Sequence, residues 1–172
     1  MIVYGIGLPR CGGQTLAECL RILGMDVVHS PGNQIGLYRG SCTEVFRSPD
    51  VLRQEQPGCK FIMNVRDIDD WLASCSSVYH RSQNWNHTLW RYPLTDFRQY
   101  AEDYMRERRG LDNCLYIDIT DPVDATWTRL CRFLGLPEPN VAWPMVDRFK
   151  TRKMVANRPS TEPIPPVIGS FR

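Results

Sequence analysis

The stretch IGLPRCGGQTLAECLRILG, residues 6–24, decides the fold. It runs from an apolar segment through Gly7, a short loop, and the pair Gly12-Gly13 into an amphipathic helix. Leu16, Cys19, Leu20 and Leu23 recur at helical spacing on one face, and Gly24 is the stop. A strand that turns through glycines into a helix aims backbone N–H groups at one spot, and such a spot holds oxyanions. Gly12 and Gly13 permit the tight turn. Arg10 adds a permanent cation with a planar fork of donors.

Working outward, the chain alternates short apolar runs with helical patterns. MIVYGI, MDVVH, KFIMNV and CLYIDI read as four strands. Helices are expected at 14–24, near PDVLRQEQ, at about 68–80, at 96–109, and from about Asp121 to Gly135. The third has Leu72, Cys75 and Tyr79 as its core face and Asp67 and Asp69 as caps. The fourth buries Phe97, Tyr100, Ala101, Tyr104 and Met105. The fifth buries Trp127, Leu130, Cys131 and Leu134, and Gly135 and Pro137 end it. Residues 30–48 form a long polar loop. This alternation predicts an α/β fold, a parallel sheet with helices on both faces and strand 1 central. Residues 1–150 form the domain, and 151–172, with Pro159, Pro163, Pro165 and Pro166, an extended tail.

With 172 residues, 42% hydrophobic and 23% charged, the composition is that of a globular domain. A net charge of +2 gives no reason to expect nucleic acid or an anionic membrane as partner. No apolar run approaches the ~20 residues that span a bilayer, and the N-terminus has no signal-peptide pattern. Cys11, Cys19, Cys42, Cys59, Cys75, Cys114 and Cys131 are scattered and form no CxxC pair. They read as buried thiols of a cytoplasmic protein, and no metal site is expected.

In a parallel sheet ligands bind at the carboxyl ends of the strands, where the loop 7–15 lies. With Gly7 and Gly12 as anchors, Gly13 and Gln14 stand where ATP- and GTP-hydrolysing loops carry Lys and Ser/Thr. Those two residues grip the β/γ-phosphates and hold magnesium. The loop therefore suits a donor whose end group carries less charge than a γ-phosphate. A second element is KFIMNVRDIDDWLASCSS. Arg66 ends a strand, and Ser74 lies eight residues on, off the stripe of Leu72 and Cys75. The two can share a second phosphate.

Taken together, GLPRCGGQTL, NVRDIDDWLAS and DITDPVDATWTRLCRFLGLP resemble, in order and spacing, the P-loop sulfotransferases, over roughly residues 1–150. The resemblance implies 3′-phosphoadenosine 5′-phosphosulfate (PAPS) as sulfuryl donor. Arg10, Cys11, Gly12, Gly13, Gln14 and Thr15 correspond to the 5′-phosphosulfate loop, commonly PKSGTT or PRTGTT. Arg66 and Ser74 correspond to the 3′-phosphate motif, with the same eight-residue spacing. Arg152 and Lys153 correspond to a basic C-terminal segment that completes that site in some relatives. The Thr-Thr pair of the family loop is Gly13-Gln14 here.

The transfer needs a base. His29 follows the second strand, at the loop's edge of the sheet, and an unperturbed imidazole suits proton removal near neutrality. Glu44, in the long loop, is its rival; His80 and His87 are weaker candidates. Arg10 is expected to assist catalysis. The acceptor is a hydroxyl or amine on a small molecule or glycan, its pocket shaped by residues 30–48 and by 81–95 with Trp85, Trp90 and Tyr92. The alternatives are a P-loop small-molecule kinase and a nucleotide-binding protein with a decayed catalytic loop.

Overall fold

The computed structural model describes residues 1–31, 40–79, 97–118 and 123–144. They divide into two compact units, one from Met1–Arg66 and the stretch after Gly110, the other from the segment Asp67–Arg109.

The first unit is an α/β layer built on a five-stranded parallel sheet, in the order β2-β3-β1-β4-β5. The strands are β1 (Val3–Gly5), β2 (Val27–His29), β3 (Ser41–Thr43), β4 (Lys60–Val65) and β5 (Cys114–Asp118). β1 is central, between β3 and β4, and the register sets Gly5 beside Thr43 and Ile62. The fifth strand is a correction to the four read from the sequence. β3 is Ser-Cys-Thr in the middle of the stretch 30–48, and nothing in those three residues carries a period-2 apolar pattern. It is fixed from both sides, by pairing with β1 and β2, and the Ser41 hydroxyl accepts a hydrogen bond from the Val3 N–H at 3.0 Å.

Alternate residues of the strands face opposite layers. Val3, Ile62 and Ile117 pack with Leu16, Cys19 and Leu20 of α1 (Gly13–Ile22) and with Trp127, Leu130, Cys131 and Leu134 of α5 (Val123–Leu134). On the other face Tyr4 stacks on Phe61, and Arg53 of α2 (Pro49–Glu55) lies over the Phe61 ring. Helices thus cover both faces. α1 and α5 end the same way. Gly24 and Gly135 take positive φ, and the next residue's N–H bonds back into the last turn, Met25 to Leu20 O and Leu136 to Cys131 O, each at 3.0 Å. Seven thiols are free; six are buried and Cys114 is half-buried. Burial pushes the Cys42 and Cys114 thiols up to about 11, which keeps them protonated and unreactive.

The second unit contains α3 (Ile68–Tyr79) and α4 (Phe97–Arg108). Asp67 Oδ1 caps α3, accepting from the N–H groups of Asp69 at 2.9 Å and Asp70 at 3.1 Å. Trp71 of α3 packs on Phe97 of α4 with ring centroids 6.1 Å apart. The inward face of α3 differs from the expected one. Trp71, Ser74 and Cys75 are buried, whereas Leu72 is half-buried. Tryptophan's larger apolar area takes the core position and rotates the buried stripe by one residue. Ser74, expected off that stripe, is on it.

Candidate functional site

The chain leaves β1 through Gly7 and enters α1 at Gly12. Gly7 has no alternative: a Cβ there would stand 2.7 Å from the carbonyl oxygen of Asn64 and 2.9 Å from its nitrogen. Close approach of β1's exit to β4 depends on that bare Cα. Asn64, buried, donates from Nδ2 to the Gly12 carbonyl at 3.2 Å and ties the loop to β4. Arg10 (φ 67) and Gly12 (φ 86) both adopt left-handed backbone, and Cys11 between them donates to Leu8 O at 3.2 Å. The loop curls into a concave turn of amides ahead of α1. α1 has no side-chain cap and no acidic residue in its first turn. Its positive end attracts negative charge.

Arg66, at the end of β4, reaches this loop: its Nη1 donates to the Arg10 carbonyl at 3.4 Å. Its Nε is buried, and among the described residues it has no hydrogen-bond partner and no carboxylate pairs with it. A buried guanidinium N–H without an acceptor is costly, and an anionic ligand would supply one. The structure thus brings Arg10 and Arg66 to one edge of the sheet, framed by the ends of β1 and β4. Ser74 lies in the other unit, 1% exposed. Arg152, Lys153, His80, His87, Trp85, Trp90 and Tyr92 lie outside the described residues.

Two titratable residues meet at the loop's other side. His29 ends β2 and Glu44 follows β3. Their Nε2 and Oε2 are 3.8 Å apart, with the side chains 23% and 13% exposed. Both press on the first turn of α1: a Cβ on Gly13 would lie 2.8 Å from Glu44 Cγ, 3.0 Å from its Oε1 and 3.2 Å from His29 Cε1. Burial, with the Arg21 charge adding to it, pulls the His29 pKa below the ordinary imidazole value. Burial also raises the Glu44 carboxyl. The Arg10 charge and hydrogen bonds from the Ser30 side chain and the Arg10 backbone N–H oppose that rise. Arg10, Ser30 and Glu44 all have positive φ, at 67°, 52° and 58°. Three non-glycine residues in left-handed backbone converge on one site, and such strain persists only where the surroundings over-determine it.

Sequence reasoning had paired His29 and Glu44 only as rivals. It missed Thr43, Ser30 and Asn64, since all three owe their place to strand register and loop backbone. Their one local signal is residue type: each carries a short hydrogen-bonding side chain.

The loop, the sheet order and the cationic edge define a P-loop nucleotide-binding α/β protein. A family model described as a sulfotransferase domain matches residues 41–117, which include Glu44, Arg66 and Ser74. The crystal structure of mouse sulfotransferase SULT7A1 complexed with PAP is similar at a TM-score of 0.54 and 16% identity, covering 81% of this chain and 60% of that one. A gluconokinase from Sinorhizobium meliloti 1021 is similar at a TM-score of 0.48 and 12% identity, over 78% of this chain and 90% of that one. No curated protein sequence matches the chain significantly. The sulfotransferase-domain match lies within residues 41–117 of the chain, the likeness to the mouse enzyme is one of fold, and the chain spans 60% of the length of that enzyme's chain. Among the described residues no helix is long and apolar enough to cross a membrane.

Proposed function

We propose that this protein is a PAPS-dependent sulfotransferase that moves a sulfuryl group to a hydroxyl or amine of a small-molecule or glycan acceptor. The observation that carries the reading is the buried Nε of Arg66, without a hydrogen-bond partner among the described residues, beside a glycine loop that lacks the P-loop lysine. A nucleotide with a phosphate at its 3′ position gives that guanidinium an acceptor, and a 5′-phosphosulfate suits a loop built without a γ-phosphate grip.

The residues fit such a donor. Backbone N–H groups at Gly12, Gly13, Gln14 and Thr15, with Arg10 and Cys11 shaping the turn, would hold the 5′-phosphosulfate. Arg66 would hold the 3′-phosphate. Ser74, Arg152 and Lys153 are the partners the family resemblance adds. PAPS supplies an activated sulfuryl group, whose transfer leaves adenosine 3′,5′-bisphosphate (PAP). The chain's own work is positioning and electrostatics. The amide turn and Arg10 stabilise negative charge that grows on the leaving phosphate. The His29–Glu44 pair removes the acceptor's proton: burial raises the Glu44 carboxyl toward the working range of a base and favours the neutral imidazole of His29.

Gly13 also speaks against a decayed loop. In the family loop a threonine stands there, and here the space of its Cβ belongs to Glu44 and His29. The glycine goes with the pair. Residence in a reducing cytoplasm is a further part of the proposal, and the seven free thiols support it. Incubation with PAPS carrying radiolabelled sulfate across a panel of phenols, alcohols, amines and glycans tests the reading. Transfer of label to one acceptor class is expected, and bound PAP with no transfer to any class would favour a nucleotide-binding role.

A further inference from the structure

Thr43 is fully buried at the end of β3. The parallel register sets it directly beside His29 of β2, and its hydroxyl lies 2.9 Å from His29 Nδ1. Its backbone carbonyl is taken by the Ser30 N–H at 2.9 Å. On its other side β1 packs closely: a Cβ on Gly5 would lie 3.1 Å from the Thr43 Cα and Cβ.

The direction of the Thr43–His29 hydrogen bond decides which ring nitrogen carries the proton. A threonine hydroxyl has one O–H to place, and among the described residues His29 Nδ1 is the partner it has. Donation from Nδ1–H to Oγ1 would strand that buried O–H, at the cost of an unmade hydrogen bond. Donation from Thr43 O–H to Nδ1 satisfies both groups and leaves the proton on Nε2. That nitrogen is the one facing the Glu44 carboxylate, at 3.8 Å. Glu44 collects the Ser30 hydroxyl and the Arg10 N–H as further donors. All these donors favour its charged form.

We propose that Thr43 is a positioning residue that locks His29 as its Nε2–H tautomer, so that the imidazole turns its N–H toward the Glu44 carboxylate. The inference rests on the proposed sulfotransferase function for its catalytic meaning. In the locked state His29 has no open lone pair: Nδ1 accepts from Thr43, and Nε2 is protonated. The acceptor's proton then goes to Glu44. Its carboxylate has about four lone-pair sites; the Ser30 side chain and the Arg10 N–H donate to it, and sites remain to take the substrate's proton. This moves the proton-accepting role from His29, where the sequence alone suggests it, to its neighbour.

The tautomer can be read in the full chain without donor, acceptor or turnover. The protein has three histidines, and their ring nitrogens resolve in long-range 15N–1H spectra at about pH 8, above the ordinary imidazole pKa of about 6.5. His29→Asn assigns the His29 set. In the wild type Nδ1 should be the unprotonated nitrogen, shifted by accepting a hydrogen bond. The shift should vanish in Thr43→Val and persist in Thr43→Ser. In turnover, Thr43→Val should lower kcat by about tenfold, the size of one neutral hydrogen bond, with the donor's KM held. Thr43→Ser should restore most of that loss. A proton on Nδ1 in the wild type, or an Nδ1 resonance unmoved in Thr43→Val, overturns the lock. Should Thr43→Val fail to fold, the wild-type and Thr43→Ser spectra decide alone. A locked tautomer in a protein that transfers no sulfuryl group would uphold the lock and refute the transfer reading.

Discussion

Gly13→Ala is the substitution that puts most weight on the site's geometry. The new methyl would stand 2.8 Å from Glu44 Cγ, and ordinary contact begins at 3.4 Å. The glutamate must therefore retreat by about 0.6 Å or more, against the hydrogen bonds that hold it. Overpacking of this kind costs about 1–3 kcal/mol. Replacing glycine by alanine in a helix returns up to about 1 kcal/mol. A net loss of about 1 kcal/mol lowers the melting temperature of a chain this size by about 2–4 °C. Turnover should suffer more than stability, because a reacting group misplaced by ~1 Å costs up to about 10²-fold. The assay is initial-rate transfer of labelled sulfate at saturating donor, beside a thermal melt and a PAP titration on the same preparation. A fall of about ten- to hundredfold in kcat, with the fold and most PAP affinity retained, is expected. Wild-type turnover from Gly13→Ala would refute the claim that Glu44 and His29 are the reason for the glycine.

Two further outcomes follow from the same geometry. Gly7→Ala meets main-chain atoms of Asn64 at 2.7 and 2.9 Å, which cannot swing aside as a side chain can, so it should cost about 3 kcal/mol in chemical denaturation and release the loop from β4. Stability should also fall with acid below the ordinary imidazole pKa. His29's folded pKa is lowered, so the unfolded chain takes up the proton first, and stability present above about pH 6.5 is lost as pH drops through the folded value. Glu44, raised in the fold, acts in the opposite sense and loses stability as pH rises through its own folded pKa. Melts of His29→Asn from pH 5 to pH 8 should therefore lack the recovery on the alkaline side; an unchanged profile would count against His29 as its source.

Much of this molecule can be read from its residues, and the exceptions share a cause. KFIMNV and CLYIDI announce strands because buried parallel strands are continuous apolar runs, and β4 spans the same six residues in the fold. The loop after β1 is legible because its glycines are required locally. The Arg10–Arg66 convergence follows from adjacent parallel strands. β3 is not legible, because Ser-Cys-Thr becomes a strand through neighbours on both sides rather than through its own pattern. Thr43's partnership with His29 goes unseen for that reason: without the strand there is no register to set the two side by side. Ser74's burial was hidden by Trp71, whose size, not its spacing, fixes how α3 is rotated. Glu44 stood in a stretch with no periodicity, and only its positive φ after β3 turns the carboxylate back onto α1.

The central claim is that the cationic edge reads a 3′-phosphate on an adenosine nucleotide. Calorimetric titration of the whole chain with PAP and with AMP, which differ only in that phosphate, tests it most directly. A charge-assisted hydrogen bond contributes about 1.5–3 kcal/mol, so PAP should bind at least about tenfold more tightly, and Arg66→Ala should erase the difference. Equal affinity of the wild type for PAP and AMP would contradict the account.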